Sequence, residues 1–355
     1  MKMLIDIHFH LIINGDNMIA EQVINKSKRT DTGEIIVTLF EFCNLNCLFC
    51  NQDHNSVVGI DTIVQKVKQI KESIEELQKT KGKKSFSINI MGGEIFDDRL
   101  DDQVFEDYKT LVALIKFYAS EKNIEVDIRF VTNFVWTKQD RVLELIESTG
   151  CAIGTSYDPA GRFNKSTFEI FQSNVIEFTK YINSINVIMT KQNIDCFLKN
   201  QIPFFDYLYE HFDIYFDHYT PESNINAIMP KDVDLRDVNI NILDHWPNCY
   251  PFKNYKLKQK NNMTCMDTYT IMPNSSFGKC DILLTPGLPD KVIPIKFVPI
   301  SKQDLEQKWF NDYNCLECEH FNRCALGCFL SNHIKDSRTQ DICWLKEVYD
   351  YVDSK

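Results

Sequence analysis

Between residues 34 and 220 the sequence switches period repeatedly, from short β-rich runs to amphipathic stretches of helical length. "EIIVTLF" (34–40) is the first run. "IDTIVQKVKQIKESIEELQKTKG" then places Ile63, Val67, Ile70, Ile74 and Leu77 at spacings of four and three, with Asp61 available as an N-cap and Gly82 just past the end. "SFSINIM" (85–91), "EVDIRFVT" (125–132), "CAIGTSY" (151–157), "INVIMT" (185–190) and "FDIYFDHY" (212–219) read as further strands. "FEDYKTLVALIKFYA", "DRVLELIEST" and "FEIFQSNVIEFTKYI" supply helices between them. Such alternation requires crossover connections and therefore a parallel sheet. Six βα units are too few to close an eight-fold barrel, so the spacing predicts an open, partial (β/α)6 TIM-like barrel.

Special residues follow the strands. Three cysteines within "CNLNCLFC", then Gly92-Gly93-Glu94, Thr132-Asn133 and Ser156-Tyr157-Asp158 each come just after a β-rich run. Sites of βα barrels lie at the C-terminal strand ends, so these segments are expected to converge on one mouth. Past residue 225 the character changes: proline and cysteine become dense, as in "DHWPNCYPFK", and helical periodicity fades. A boundary is expected between 225 and 245, followed by a loop-rich region held by metal ligands rather than by a large apolar core.

The chain has 13 cysteines, an odd number and high for its length of 355 residues. No apolar run reaches the roughly 18 residues of a membrane span. The N-terminal "MKMLIDIHFHL" has no small-residue cleavage pattern. A reducing cytoplasm is therefore expected, where thiols serve as metal or cluster ligands rather than as disulfides. A net charge of −11 argues against a nucleic-acid surface. Asp6-x-His8-x-His10 looks like the start of a metallohydrolase site, but no convincing series of later histidines completes it, and both histidines read as structural.

The spacing Cys43-x3-Cys47-x2-Cys50, after the first strand and with Phe49 before the last cysteine, resembles the radical S-adenosylmethionine (SAM) superfamily. Three thiolates suit iron–sulfur or zinc; on spacing alone a zinc site lacking a ligand, or buried thiols, is the alternative. The resemblance implies a [4Fe–4S] cluster on the three cysteines, with SAM chelating the fourth iron. One electron then cleaves SAM to a 5′-deoxyadenosyl radical that abstracts hydrogen from a substrate. It also implies that Gly92, Gly93 and Glu94 meet the methionyl amine, and that Thr132, Asn133 and Ser156 meet its ribose and carboxylate. Asp158 and Arg162 would face cofactor or substrate. The alternatives are a plain turn for Gly-Gly-Glu and ordinary loop capping for the others. Where the family often has glycine after the asparagine, this chain has Phe134.

Cys265 and Cys280, then Cys315-x2-Cys318-x5-Cys324-x3-Cys328 and a lone Cys343, resemble the SPASM domain, the auxiliary-cluster module of enzymes such as anaerobic sulfatase maturases and peptide-modifying enzymes. By that resemblance Cys315, Cys318, Cys324 and Cys343 hold one auxiliary [4Fe–4S] cluster, and Cys265, Cys280 and Cys328 the other. A full-ligation member has a further cysteine near position 259, where this chain has Gln259; either Cys249 is that ligand or one iron stays open. Ser275 replaces a usual turn glycine. Asp281 is a candidate proton acceptor beside a cluster, or a surface aspartate. The implied protein divides into an extension (1–33), a radical SAM core (34–225) and a SPASM module (245–350). It would oxidatively modify a peptide or protein, fed by an electron donor such as flavodoxin or ferredoxin. The extension is too short for a winged-helix leader-binding module. A small-molecule dehydrogenase or epimerase and a non-catalytic Fe–S or zinc protein are the competing readings; the Gly-Gly-Glu turn sets the enzymatic readings apart from the last.

Overall fold

A computed structural model describes residues 32–50, 52, 54, 63–218, 228–256, 268–274, 277, 278, 313–321, 323, 324 and 343–355. Six strands alternate with helices in chain order: β1 (Thr32–Thr38), α1 (Ile63–Lys81), β2 (Ser85–Met91), α2 (Asp102–Lys122), β3 (Glu125–Val131), α3 (Gln139–Thr149) and β4 (Ala152–Ser156). They continue through α4 (Lys165–Glu177), β5 (Ile182–Met189), α5 (Lys191–Leu198), α6 (Phe205–His211) and β6 (Asp213–His218). All six strands pair parallel in sequence order, as the periodicity predicts. Beyond them lie α7 (Asp232–His245), α8 (Phe252–Lys256), β7 (Thr268–Ile271), β8 (Phe277–Gly278) and α9 (Trp344–Ser354). The sheet is an open half-barrel of seven parallel strands with the short β8 antiparallel at its edge.

β7 is the difference from the expected six. It belongs to the proline-rich stretch beyond residue 225, yet it pairs with β1 in register from Glu34↔Thr268 to Val37↔Ile271. All four of its residues are buried. Four residues bounded by turns carry too little period to be told from loop by sequence; β1's free edge decides the matter, because exposed strand edges are costly and this one is covered.

The two faces of the half-barrel differ in chemistry because side chains alternate along each strand. Ile35 and Val37, Phe86, Ile88 and Ile90, Ile128 and Phe130, and Ile185 and Val187 face the helices and are buried. They meet α1 through Ile70, Ile74 and Leu77, and α2 through Phe105, Tyr108 and Ile115. The sequence also writes the helix ends: Asp101 accepts from Val104 N–H at the start of α2, and Asn123, in the left-handed region at φ 54°, closes it. Gly82, at φ 64°, follows α1 as expected. The opposite, concave face carries the intervening polar residues. Asp61 and His8 and His10 lie outside the described residues. Among the described residues no helix is long and apolar enough to cross a membrane.

Candidate functional site

Three of the four expected strand-end segments, those after β1, β2 and β3, are stitched together. β1 delivers its chain through Phe40 and Phe42 into the loop of Cys43, Cys47 and Cys50. Gly93, in the turn after β2, lies directly against that entry. A Cβ there would sit 2.0 Å from the Phe42 carbonyl oxygen and 2.3 Å from its carbon. Only glycine permits this approach. Two backbone bonds seal it: Gly93 N–H donates to Phe40 O and Glu94 N–H to Phe42 O, each at 2.8 Å. Gly92 packs under the Phe40 ring, and its carbonyl accepts from Gln52 Nε2 at 3.1 Å. The close approach that the two glycines allow is therefore, in Gly93's case, to the cysteine loop's own backbone.

Glu94 is fully buried and turned inward. Its Oε1 accepts from Thr132 Oγ1 at 2.6 Å and Phe96 N–H at 2.8 Å, and its Oε2 from Asn133 N–H at 2.6 Å. Burial pushes its carboxyl up to about 7, against the pull of these three donors. Asn133 carries the linkage onward: its Nδ2 donates to Asn44 Oδ1 at 2.8 Å and lies 3.8 Å from Cys43 Sγ. Asn44 in turn donates to the Val135 carbonyl. Thr132 Oγ1 also accepts from Trp136 Nε1 at 3.0 Å.

Phe134 occupies the left-handed region, φ 61°, that a glycine would adopt freely. Its ring is buried against Trp136, Phe171 and Phe178. Loss of that burial would cost more than the roughly 1 kcal/mol a non-glycine residue surrenders in this conformation. The backbone after Asn133 is thus the one a glycine would give, held by aromatic packing instead.

A buried cation faces the thiols. Arg162 Nη2 lies 2.8 Å from Asp158 Oδ2, with side-chain exposures of 7% and 0%. Its guanidinium is 5.3 Å from the Phe49 ring centre, and Nη1 donates to the Ser156 carbonyl at 3.3 Å. Burial would weaken its charge, but Asp158 and then Cys47, Cys50 and Cys43 hold it above the ordinary arginine value. Burial pushes the Cys43 thiol up to about 11, and raises Cys47 against the lowering influence of Arg162. His54 Nε2 lies 3.4 Å from Cys50 Sγ. Phe49, Ile228, Ile188 and Cys47 form a small apolar patch beside this loop.

A second thiol group assembles far along the chain. Cys315, Cys318, Cys324 and Cys343 line one cavity together with Tyr313, His320 and Tyr349. A short 3-10 turn (Cys315–Glu317) starts the loop, and Cys343 stands immediately before α9. His320, 4% exposed, lies 2.6 Å from Asp350 Oδ1 through Nε2 and accepts from Arg323 Nη2 at 2.8 Å through Nδ1. Arg323 pairs with Asp353. Cys249 is elsewhere: it is buried near the start of β6 and lines a cavity with Asp213, Asn183 and Lys253, and burial pushes its thiol up to about 12. Cys265, Cys280, Cys328, Ser275 and Asp281 lie outside the described residues.

Sequence reading did not find Asn44, His54 or His320. The first two have a usable local signal, being one residue after Cys43 and four after Cys50. His320 sits between Cys318 and Cys324, but its partner Asp350 is on α9, 30 residues on, and nothing local announces it.

No protein-family model and no curated protein matches the chain. Solved structures do. Native anSMEcpe with bound AdoMet and Kp18Cys peptide superposes with a TM-score of 0.62 at 15% identity, covering 91% of this chain and 96% of that one. Streptococcus suis SuiB bound to S-adenosylmethionine gives 0.51 at 15% identity, over 94% and 82%. SuiB bound to precursor peptide SuiA gives 0.52 at 14% identity, over 94% and 81%. This chain has their fold.

Proposed function

We propose that this chain is a radical SAM enzyme that modifies a peptide or protein substrate. The observation that carries the reading is the loop of Cys43, Cys47 and Cys50 at the C-terminal end of β1, faced by the buried guanidinium of Arg162. Structures of the same fold hold AdoMet and peptides, which supports the same ligand classes here.

The donor chemistry fits an iron–sulfur cluster. Three thiols leave one metal position for another ligand, and soft sulfur donors favour iron–sulfur or zinc over hard cations. Thiols raised by burial must lose protons to ligate; a thiolate-ligated cluster is anionic, and Arg162 supplies a nearby positive charge. When bound, the cluster and SAM would supply a 5′-deoxyadenosyl radical for hydrogen abstraction.

In this reading the chain's own residues hold and shield. Gly93 and Glu94 fix the cysteine loop against β2 and β3. Glu94 acts as a positioning residue, since three protein donors already occupy it. Gly92, Thr132, Asn133 and Ser156 contribute the polar rim of the SAM site, and Phe49 excludes water from it. Cys315, Cys318, Cys324 and Cys343 hold one auxiliary cluster; Cys265, Cys280 and Cys328 hold another, with Asp281 its candidate proton acceptor. Residues 34–225 form the core and 245–350 the auxiliary module, although β7 extends the core sheet. An electron donor such as flavodoxin or ferredoxin is required, and cysteines that ligate clusters suit a reducing cytoplasm.

The test is anaerobic reconstitution with iron and sulfide, then incubation with dithionite and SAM. The proposal expects 5′-deoxyadenosine and about twelve irons per chain, four for each cluster. Stoichiometric zinc with no deoxyadenosine would overturn it.

A further inference from the structure

Among the described residues, the charges on the concave face of the half-barrel do not balance. Glu34 on β1, Asn89 on β2, Arg129 on β3, Asn186 on β5 and Tyr215 and Asp217 on β6 all alternate with side chains that face the helices. Arg129 is the cation of this row: its Nη2 donates to Ser87 Oγ at 3.0 Å and lies 3.6 Å from Asp127, while its buried Nε has no acceptor among the described residues. Among the described residues Glu34 accepts from neutral groups, Asn89 Nδ2 at 2.8 Å and Thr268 Oγ1 at 3.1 Å.

Asp217 is the less satisfied carboxylate. Among the described residues its one hydrogen-bond donor is Asn186 Nδ2, and no cation pairs with it. It is exposed yet ringed by protein, as expected of a carboxylate lining a concavity. That enclosure pushes its carboxyl up to about 6, and the charges of Glu34 and Asp158 push the same way. Independently, Asn89 is 9% exposed and its Oδ1 has no hydrogen-bond donor among the described residues. A buried amide oxygen without a donor is costly. Asp217 on this face lacks what a positively charged N–H donor would bring.

The position relates this face to the cysteine loop. Asp217 pairs in register with Ile188, so both project to the same side, and Ile188 and Cys47 both pack on the small cluster of Phe49 and Ile228. We propose that the concave chamber binds the cationic side chain of a peptide substrate, an ammonium or guanidinium held by Asp217, with Glu34 as a further acceptor. Tyr215, which stacks on Tyr250 with ring centres 4.7 Å apart, presents an aromatic wall to that cation. The inference rests on the peptide-modifying reading and narrows it: the residue offered to the site lies beside, or is, a basic one.

The experiment uses the anaerobically reconstituted full chain with SAM. The probes are blocked five-residue peptides of alanine with lysine, arginine, norleucine or glutamate at the centre, and dissociation constants are read by calorimetry. The lysine or arginine peptide is expected to bind at least about tenfold more tightly than the norleucine peptide, which matches its length without the charge. The glutamate peptide is expected to bind weakest, and which basic peptide leads distinguishes ammonium from guanidinium. Asp217→Asn is expected to shrink the preference to less than about threefold. Equal binding of basic and norleucine peptides by the parent chain, no measurable binding of any, or full preference in a folded Asp217→Asn variant overturns the inference. Deoxyadenosine formation by the parent chain without peptide is a separate readout: its absence removes the proposed function, whereas its presence without basic-peptide preference removes only the chamber's assignment.

Discussion

The two thiol groups of this protein are positioned by different physics. At the barrel mouth, Cys43 is placed by a parallel sheet, by backbone packed on backbone at Gly93, and by the buried carboxylate of Glu94 bonded across β2 and β3. In the C-terminal cavity the thiols sit in short turns: Cys318 N–H donates to Cys315 O at 3.1 Å, and Cys324 N–H to His320 O at 2.9 Å. Cys343 reaches them from α9. The first site is a product of folding the core, so its geometry exists before any ligand arrives. The second, although Cys315 is buried in the apolar core and Cys324 and Cys343 pack against it, joins its turns to α9 by side-chain ties and, in the proposed reading, by the metal it would hold. A site of the first kind should tolerate loss of its ligand but not of its backbone fit; a site of the second kind should show the reverse.

The sharpest way to break that contrast is to delete one thiol from each. Cys47→Ala is expected to lower deoxyadenosine formation at least about a hundredfold and to remove about four irons per chain. Cys324→Ala is expected to remove a similar amount of iron while leaving deoxyadenosine formation within about threefold of the parent. Iron assay and chromatography of the nucleoside check both. An equal collapse of deoxyadenosine in the two variants would show that the regions are not separable.

Backbone fit gives the next effect. Gly93→Ala places a methyl group 2.0 Å from the Phe42 carbonyl oxygen, and neither partner is the end of a flexible side chain. The two strand ends must separate, at a cost of about 3 kcal/mol or more. Thermal denaturation of the iron-free chain should register this loss without help from any ligand. An unchanged melting temperature would mean that the mouth is not prefolded.

How much of this was readable beforehand follows the same division. The strands and first helices declare themselves locally, because a run such as Ser85–Met91 is β-rich and a helix such as Ile63–Lys81 repeats its apolar residues at three and four. The convergence of the segments after β1, β2 and β3 follows from strand order alone. The partners of Glu94 do not: Thr132 and Asn133 are 38 and 39 residues away, and a carboxylate after two glycines reads equally as a ligand contact and as an inward clasp. Phe134 conceals a glycine-like backbone because its burial, not its type, sustains the conformation. β7 was hidden for the same reason, since only pairing with β1 makes those four residues a strand.

Glu94 provides a pH test of the clasp. Its carboxyl is raised in the folded state from an ordinary value near 4.5 to about 7, so the folded chain binds the proton more tightly than the unfolded chain does. This group's contribution is therefore fully present below about pH 4.5 and is lost as pH rises through about 7, by an amount on the order of 3 kcal/mol. Glu94→Gln removes the titration and turns one amide N–H toward the Asn133 N–H donor. The difference in unfolding free energy between parent and variant, followed by denaturant titration, should slope across that window. A flat difference from pH 4.5 to 7 would mean that the carboxylate is not the buried link it resembles here.

The smallest effect expected is at the second site, and it decides what holds that site before metal arrives. His320 bridges the cysteine turn to α9 by its bond to Asp350, accepts a second bond from Arg323 within the turn segment, and stacks its ring on Tyr349 with centres 5.4 Å apart. Asp350, despite burial that would raise it, is held below the usual carboxylate range by His320 and Lys346. Asp350 and Arg323 keep other partners in Lys346 and Asp353, so neither is stranded when the imidazole goes. His320→Phe retains the stacking and deletes both bonds, which should cost about 1 kcal/mol. The loss should appear in the iron-free chain as faster amide exchange at 315–324 with little change at β1 through β6. Adding iron and sulfide should restore much of the protection, because ligand bonds from Cys315, Cys318, Cys324 and Cys343 then replace the tie. If exchange at 315–324 stays the same without His320, the C-terminal thiols are held by something other than this bridge, and the two sites are alike after all.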